Sequence, residues 1–60
     1  MLSWYVYIKI DDRIIEEFTI DGTIPDLTTN QEFIDNYKRI QLEHPNETLS
    51  YTAFKYRVDG

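Results

Sequence analysis

The sequence contains no cysteine, a single histidine, two glycines and two prolines in 60 residues. The missing thiols exclude disulfides, thiolate metal sites and cysteine nucleophiles, and a lone histidine removes most other zinc arrangements. With two glycines far apart there is no phosphate-cradling glycine loop. No apolar run is long enough to span a membrane. The stretch after Met1 is interrupted by Ser3 and Lys9, ends in Asp11-Asp12, and carries neither a basic leader nor a small-residue cleavage site. A cytoplasmic location and no membrane partner are therefore expected, and the Asn46-Glu47-Thr48 sequon is a chance match in that setting.

Basic residues are also scarce. Six face eleven acids, for a formal charge of −5. The excess lies in the first half, where Asp11, Asp12, Glu16, Glu17, Asp21 and Asp26 oppose only Lys9 and Arg13. Such a field favours basic partners and repels free nucleic acid at long range.

What the chain does contain is aromatic and alternating. Nine of its residues are Phe, Trp or Tyr. A chain of this size buries only about 60% of the surface its unfolded form exposes, so aromatic packing or self-association must supply part of its stability. In Leu2-Ser3-Trp4-Tyr5-Val6-Tyr7-Ile8-Lys9-Ile10 every even position is large and apolar, the period of a strand. Ile14 to Ile20 follows after Asp11-Asp12-Arg13, which predicts a hairpin. Pairing Ile10 with Ile14, Val6 with Phe18 and Trp4 with Ile20 keeps like with like on one face, whereas a slip of one residue would turn Glu17 toward Val6. This register points Glu16 inward opposite Ile8. An inward charge on an edge strand discourages edge-to-edge aggregation; the alternatives are that Glu16 is bulged outward or meets Arg13 or Lys38.

Asp21-Gly22 and Pro25 end the second strand. Thr29-Asn30-Gln31-Glu32 fits a capping box, and Phe33, Ile34, Tyr37 and Ile40 form one helical stripe, with Leu42 nearly opposite. Pro45 disfavours helical geometry at His44, so the helix should finish near residue 43. Residues 48–58 are rich in Thr, Tyr, Phe and Val and read as a third strand. Its phase is mixed: Phe54, Tyr56 and Val58 favour even positions for the inner face, and Leu49, Tyr51 and Ala53 favour odd ones. A bulge near residues 52–54 would reconcile them, as would a strand covered on both faces in a dimer.

The expectation is a single α+β domain over residues 1–60. Its three-stranded antiparallel sheet has the order ββαβ in sequence, strand 1 is central, and one helix packs on one face. The opposite face is expected to carry Tyr5, Tyr7, Lys9, Ile15, Glu17, Tyr51, Lys55 and Arg57.

Catalytic chemistry finds no constellation in the sequence. Adjacent acids on a strand point to opposite faces, and those at the turn are wet, so Asp11-Asp12 and Glu16-Glu17 make no acid/base pair. His44 sits in a helix exit, and Ser3 and Ser50 have no identifiable base. Asp21-Gly22-Thr23-Ile24 is similar to the centre of a calcium loop, but Glu17 and Thr28 would stand at its first and last ligand positions, between strand-like flanks. No enzyme activity, metal or cofactor is expected.

The strand, strand, helix, strand order in about sixty acidic residues resembles several small phage or mobile-element proteins, including phage inhibitors of bacterial RNA polymerase. The resemblance spans the chain in element order alone and transfers no functional residue. It implies a protein that occupies a host protein's surface without turnover. The expected function is thus a small acidic protein-binding module of the inhibitor or antitoxin type, acting in the host cytoplasm on a partner with a basic surface. The partner-binding residues expected for it are Tyr5, Tyr7, Asp11, Asp12, Glu16, Glu17, Tyr51, Lys55 and Arg57. Two alternatives stand beside it. One is a single-stranded nucleic-acid binder that stacks bases on the tyrosine face, and the other is a self-associating structural domain, a homodimer.

Overall fold

In a computed structural model, which describes residues 1–58, the chain forms β1 (Leu2–Ile10), β2 (Arg13–Asp21), a short 3-10 turn (Leu27–Thr29), α1 (Gln31–Glu43) and β3 (Leu49–Arg57). The sheet is antiparallel, in the order β2-β1-β3. The α+β architecture and the central first strand read from the sequence are therefore observed. Strand 1 is central because both of its edges are hydrogen-bonded, to β2 on one side and to β3 on the other.

The β1/β2 register holds Trp4 opposite Ile20 and Val6 opposite Phe18, and then shifts by one residue between Ile8 and Lys9. Glu16 faces Ile8 and Ile14 faces Lys9, which leaves Ile15 as an extra residue in a bulge. The expected Ile10–Ile14 pair is thus replaced by Ile10–Arg13. The cause lies in the connection. Asp11 and Asp12 alone join the strands, with Asp11 at φ 56°, a left-handed conformation that Asp tolerates better than most residues. So short a turn pairs Ile10 directly with Arg13, and the bulge restores the apolar register beyond it. It also lets Ile15 pack against the core while half-exposed Ile14 turns away from it.

Val6, Ile8, Ile10 and Ile20 from the sheet meet Leu27, Phe33, Ile40 and Leu49 in the core. Val6, Ile8 and Ile40 are essentially inaccessible. Burial of such side chains contributes about 1.5–3 kcal/mol each. The helix is capped by Asn30, whose side chain accepts from the Phe33 amide at 3.0 Å. The expected cap, Thr29, belongs instead to the preceding 3-10 turn, which Asp26 caps by accepting from the Thr28 amide. The helix ends at Glu43, one residue short of His44-Pro45. Two bonds tie the connections down: the Trp4 indole donates to the Ile24 carbonyl at 3.2 Å, and the Tyr37 phenol donates to the Leu49 carbonyl at 3.1 Å.

The β3 strand runs without a bulge, pairing Tyr5 with Phe54, Val6 with Ala53 and Ile8 with Tyr51. Its mixed phase has a simple origin. Odd residues face the helix side and even residues join the aromatic residues on the other face, so each face of the strand carries aromatic side chains.

Candidate functional site

The face of the sheet away from α1 carries no other element of residues 1–58. Register decides its composition. Antiparallel partners project to the same side, so Ser3, Tyr5, Tyr7 and Lys9 of β1 share it with Tyr56, Phe54, Thr52 and Ser50 of β3 and with Asp21, Thr19, Glu17 and Ile14 of β2.

Four rings meet in its centre. Tyr5 lies parallel to Phe54, with centroids 5.6 Å apart and an interplanar angle of 1°. Tyr7 sits 5.0 Å from Tyr5 and 6.0 Å from Phe54, and Tyr56 is 6.2 Å from Tyr5 on the other side. Phe54 remains 45% exposed although it is the most apolar of the four, and the three tyrosines are half-buried. Along the β2 side run Glu17, opposite Tyr7, and Asp21, opposite Ser3. Ser3 is fully buried, and its hydroxyl donates to Asp21 Oδ1 at 2.6 Å, which holds that carboxylate in place. The Tyr5 phenol is raised above its ordinary pKa, first by desolvation and then by the Glu17 carboxylate, whose negative charge opposes ionisation. Among the described residues, Lys9 is the one basic side chain that the strand register places on this face.

The structure separates the residues expected to act together. Tyr5, Tyr7 and Glu17 are brought together on the outer face. Tyr51, Lys55 and Arg57, expected beside them, lie on the helix side, because β3 keeps an unbroken register in which Ile8, Trp4 and Leu2 face them. Tyr51 packs edge-on against Phe33 at 5.0 Å, and Lys55 Nζ stands 5.1 Å over the Trp4 ring, in the reach of a cation–π contact. Ile15, also expected outside, packs on the core through the bulge. The acidic residues divide three ways: Asp11 and Asp12 are exposed at the hairpin tip, Glu17 borders the rings, and Glu16 faces the helix. The charge partner of Glu16 is Arg39, at 2.6 Å, where Arg13 or Lys38 was expected.

Sequence reasoning missed Phe54 and Tyr56. The usable signal was the pairing itself: a regular β3 opposite Tyr5 and Tyr7 has to place large even residues beside them.

Among the described residues no three His, Cys, Asp or Glu side chains gather into a metal-holding group, and no enclosed pocket is found. The His44 ring meets the Glu47 carboxylate at 3.2 Å. No helix among them is long and apolar enough to cross a membrane. Comparison with protein-family models, with curated proteins and with solved structures finds no match for this chain.

Proposed function

We propose that this chain is a small acidic protein-binding module that works by occupying a surface of a partner protein, without catalysis, and that the outer face of the sheet is the surface it presents. The observation that carries this reading is the cluster of Tyr5, Tyr7, Phe54 and Tyr56 on an uncovered face, bordered by Glu17 and Asp21. Tyrosine and phenylalanine are enriched at protein interfaces, where large rigid rings bury area at low entropic cost. The border adds direction. A partner that meets the rings with an apolar patch and the β2 side with lysine or arginine satisfies both, and its approach is favoured by the charge of −5. The likeness in element order to phage inhibitors supports a host protein as the partner, reached in the host cytoplasm.

The nucleic-acid reading is weaker on this geometry. Bases stack well on tyrosines, but phosphates need cations beside the rings, and Lys55 and Arg57 project from the opposite face while Glu17 and Asp21 line this one.

The test is affinity capture with the tagged chain from bacterial lysate, with and without nuclease treatment. One stoichiometric, nuclease-resistant protein is the expected result. Recovery that disappears with nuclease would replace this reading by the nucleic-acid one, and recovery of the chain alone would replace it by self-association.

A further inference from the structure

The two edges of the sheet are not equivalent. Met1 and Val58 exchange both backbone bonds, with the Val58 amide donating to the Met1 carbonyl at 2.8 Å and the Met1 amino group donating to the Val58 carbonyl at 3.4 Å. In an antiparallel ladder such pairs recur every second residue, so the even residues of β3 spend their amides and carbonyls on β1. The odd residues, Tyr51, Ala53, Lys55 and Arg57, therefore direct theirs away from the sheet. At Leu49 the outward carbonyl is taken by the Tyr37 phenol, which closes that end of the edge. Between Tyr51 and Arg57 the strand has no bulge, proline or glycine.

The β2 edge differs on both counts. The extra residue at Ile15 breaks its spacing, and Glu16, Glu17 and Asp21 give it an acidic character. By contrast, β3 carries Lys55 and Arg57 with no acid between Leu49 and Arg57. A regular free edge with two cations two residues apart is a template for one kind of occupant.

We propose that the β3 edge accepts an extended acidic segment of another protein as a fourth strand. Backbone bonds to Ala53, Lys55 and Arg57 set its register. Carboxylates at alternate positions face Lys55 and Arg57, and the apolar residues between them extend the outer face beside Phe54 and Tyr56. A second copy of the chain is less suited: antiparallel pairing of two β3 strands about Ala53 sets Lys55 against Tyr51 and Arg57 against Leu49, so neither cation meets a carboxylate, and pairing β3 with β2 meets the bulge. This assignment does not depend on what the outer face binds.

The experiment uses a capped eight-residue peptide alternating Glu and Val, with a Lys and Val peptide as control, titrated into the isotopically labelled chain by NMR. The expected result is saturable shifts of the Tyr51, Ala53, Lys55 and Arg57 amides with the acidic peptide alone. Ala53→Pro removes an outward amide that β1 does not use, a position where an edge strand tolerates proline, and should weaken binding at least tenfold. Lys55→Gln with Arg57→Gln should weaken it several-fold and flatten its salt dependence, whereas Leu42→Ser, on the exposed side of the helix, should leave it unchanged. Absence of amide shifts along residues 51–57 at millimolar peptide would overturn the proposal, as would equal binding of both peptides. Self-association of the wild type that Ala53→Pro abolishes would give the edge to a second copy and overturn the acidic assignment.

Discussion

Tyr5 and Phe54 face each other across the β1–β3 ladder with their rings parallel, 5.6 Å between centroids, on the side of the sheet that the helix leaves open. An aromatic pair contributes about 0.5–1.5 kcal/mol beyond its area, and this one is only partly removed from water. Phe54→Ser should therefore cost about 1–2 kcal/mol. Ile8→Ala, in the inaccessible core, should cost about 2–5 kcal/mol. Urea denaturation of the two variants checks the ranking. Equal losses would mean that the outer face supports the fold as much as the core does.

Glu16 and Arg39 form the contact between the bulged strand and the helix, at 2.6 Å, and Arg39 also reaches Glu43 at 3.2 Å. The hydrogen bond to Glu16 leads the causes that raise the Arg39 pKa. Both side chains stay partly exposed, so the pair is screened and contributes little to stability. Glu16→Gln should lower the melting temperature slightly at low salt and by less in molar salt, as read by thermal denaturation at the two ionic strengths.

Two backbone positions set the turns. Asp11 has φ 56° and Gly22 has φ 121°. Asp11→Gly relieves strain at the first but loosens the unfolded chain, for a net gain of up to about 0.5 kcal/mol. Gly22→Ala meets no atom within 4 Å. Its cost, about 1 kcal/mol, is therefore conformational and not steric. Opposite signs for these two substitutions in thermal denaturation are the expected outcome.

The helix cap distinguishes two adjacent residues. Asn30→Ala removes the acceptor for the Phe33 amide and should cost about 1 kcal/mol. Thr29→Ala loses only a hydroxyl bond to the Asp26 carbonyl and should cost less. Helix content by circular dichroism, together with denaturation midpoints, separates them.

Tyr5 links the outer face to pH. Its folded phenol is raised above the ordinary 10.0 by desolvation first and Glu17 second. The unfolded chain therefore loses this proton first on alkaline titration. The contribution to stability is full below about pH 10 and is lost as pH rises through the folded value. Glu17→Gln should move the Tyr5 transition part of the way back, because desolvation remains. Tyrosinate absorbance with and without the substitution, assigned by Tyr5→Phe, reads it.

Most of the fold was legible because one face of β1 is strictly apolar and long enough to fix its neighbours. Leu2 to Ile10 defined the central strand, and Phe33, Ile34, Tyr37 and Ile40 defined the helix. The errors cluster where two local signals compete. Thr29 and Asn30 both make acceptable caps, and Asp26 decides between them by claiming Thr28 and Thr29 for its own turn. Near the hairpin, the two-residue turn and the apolar pattern ask for different registers, and the bulge at Ile15 satisfies both. In β3 the alternation fails as a guide because both faces are aromatic or apolar. Its true phase comes from pairing across to Tyr5 and Tyr7, a long-range relation that a reading of the strand by itself does not contain. Half of the aromatic cluster was visible for that reason, and Phe54 and Tyr56 were not.

The most direct test of the central claim is the affinity of the captured partner for the chain carrying Tyr5→Ser and Phe54→Ser, with Leu42→Ser on the exposed side of the helix as a control. A fall of at least tenfold in the first variant, still folded by circular dichroism, and little change in the second is the expected result. Unchanged affinity in the folded outer-face variant would contradict the assignment of the binding surface.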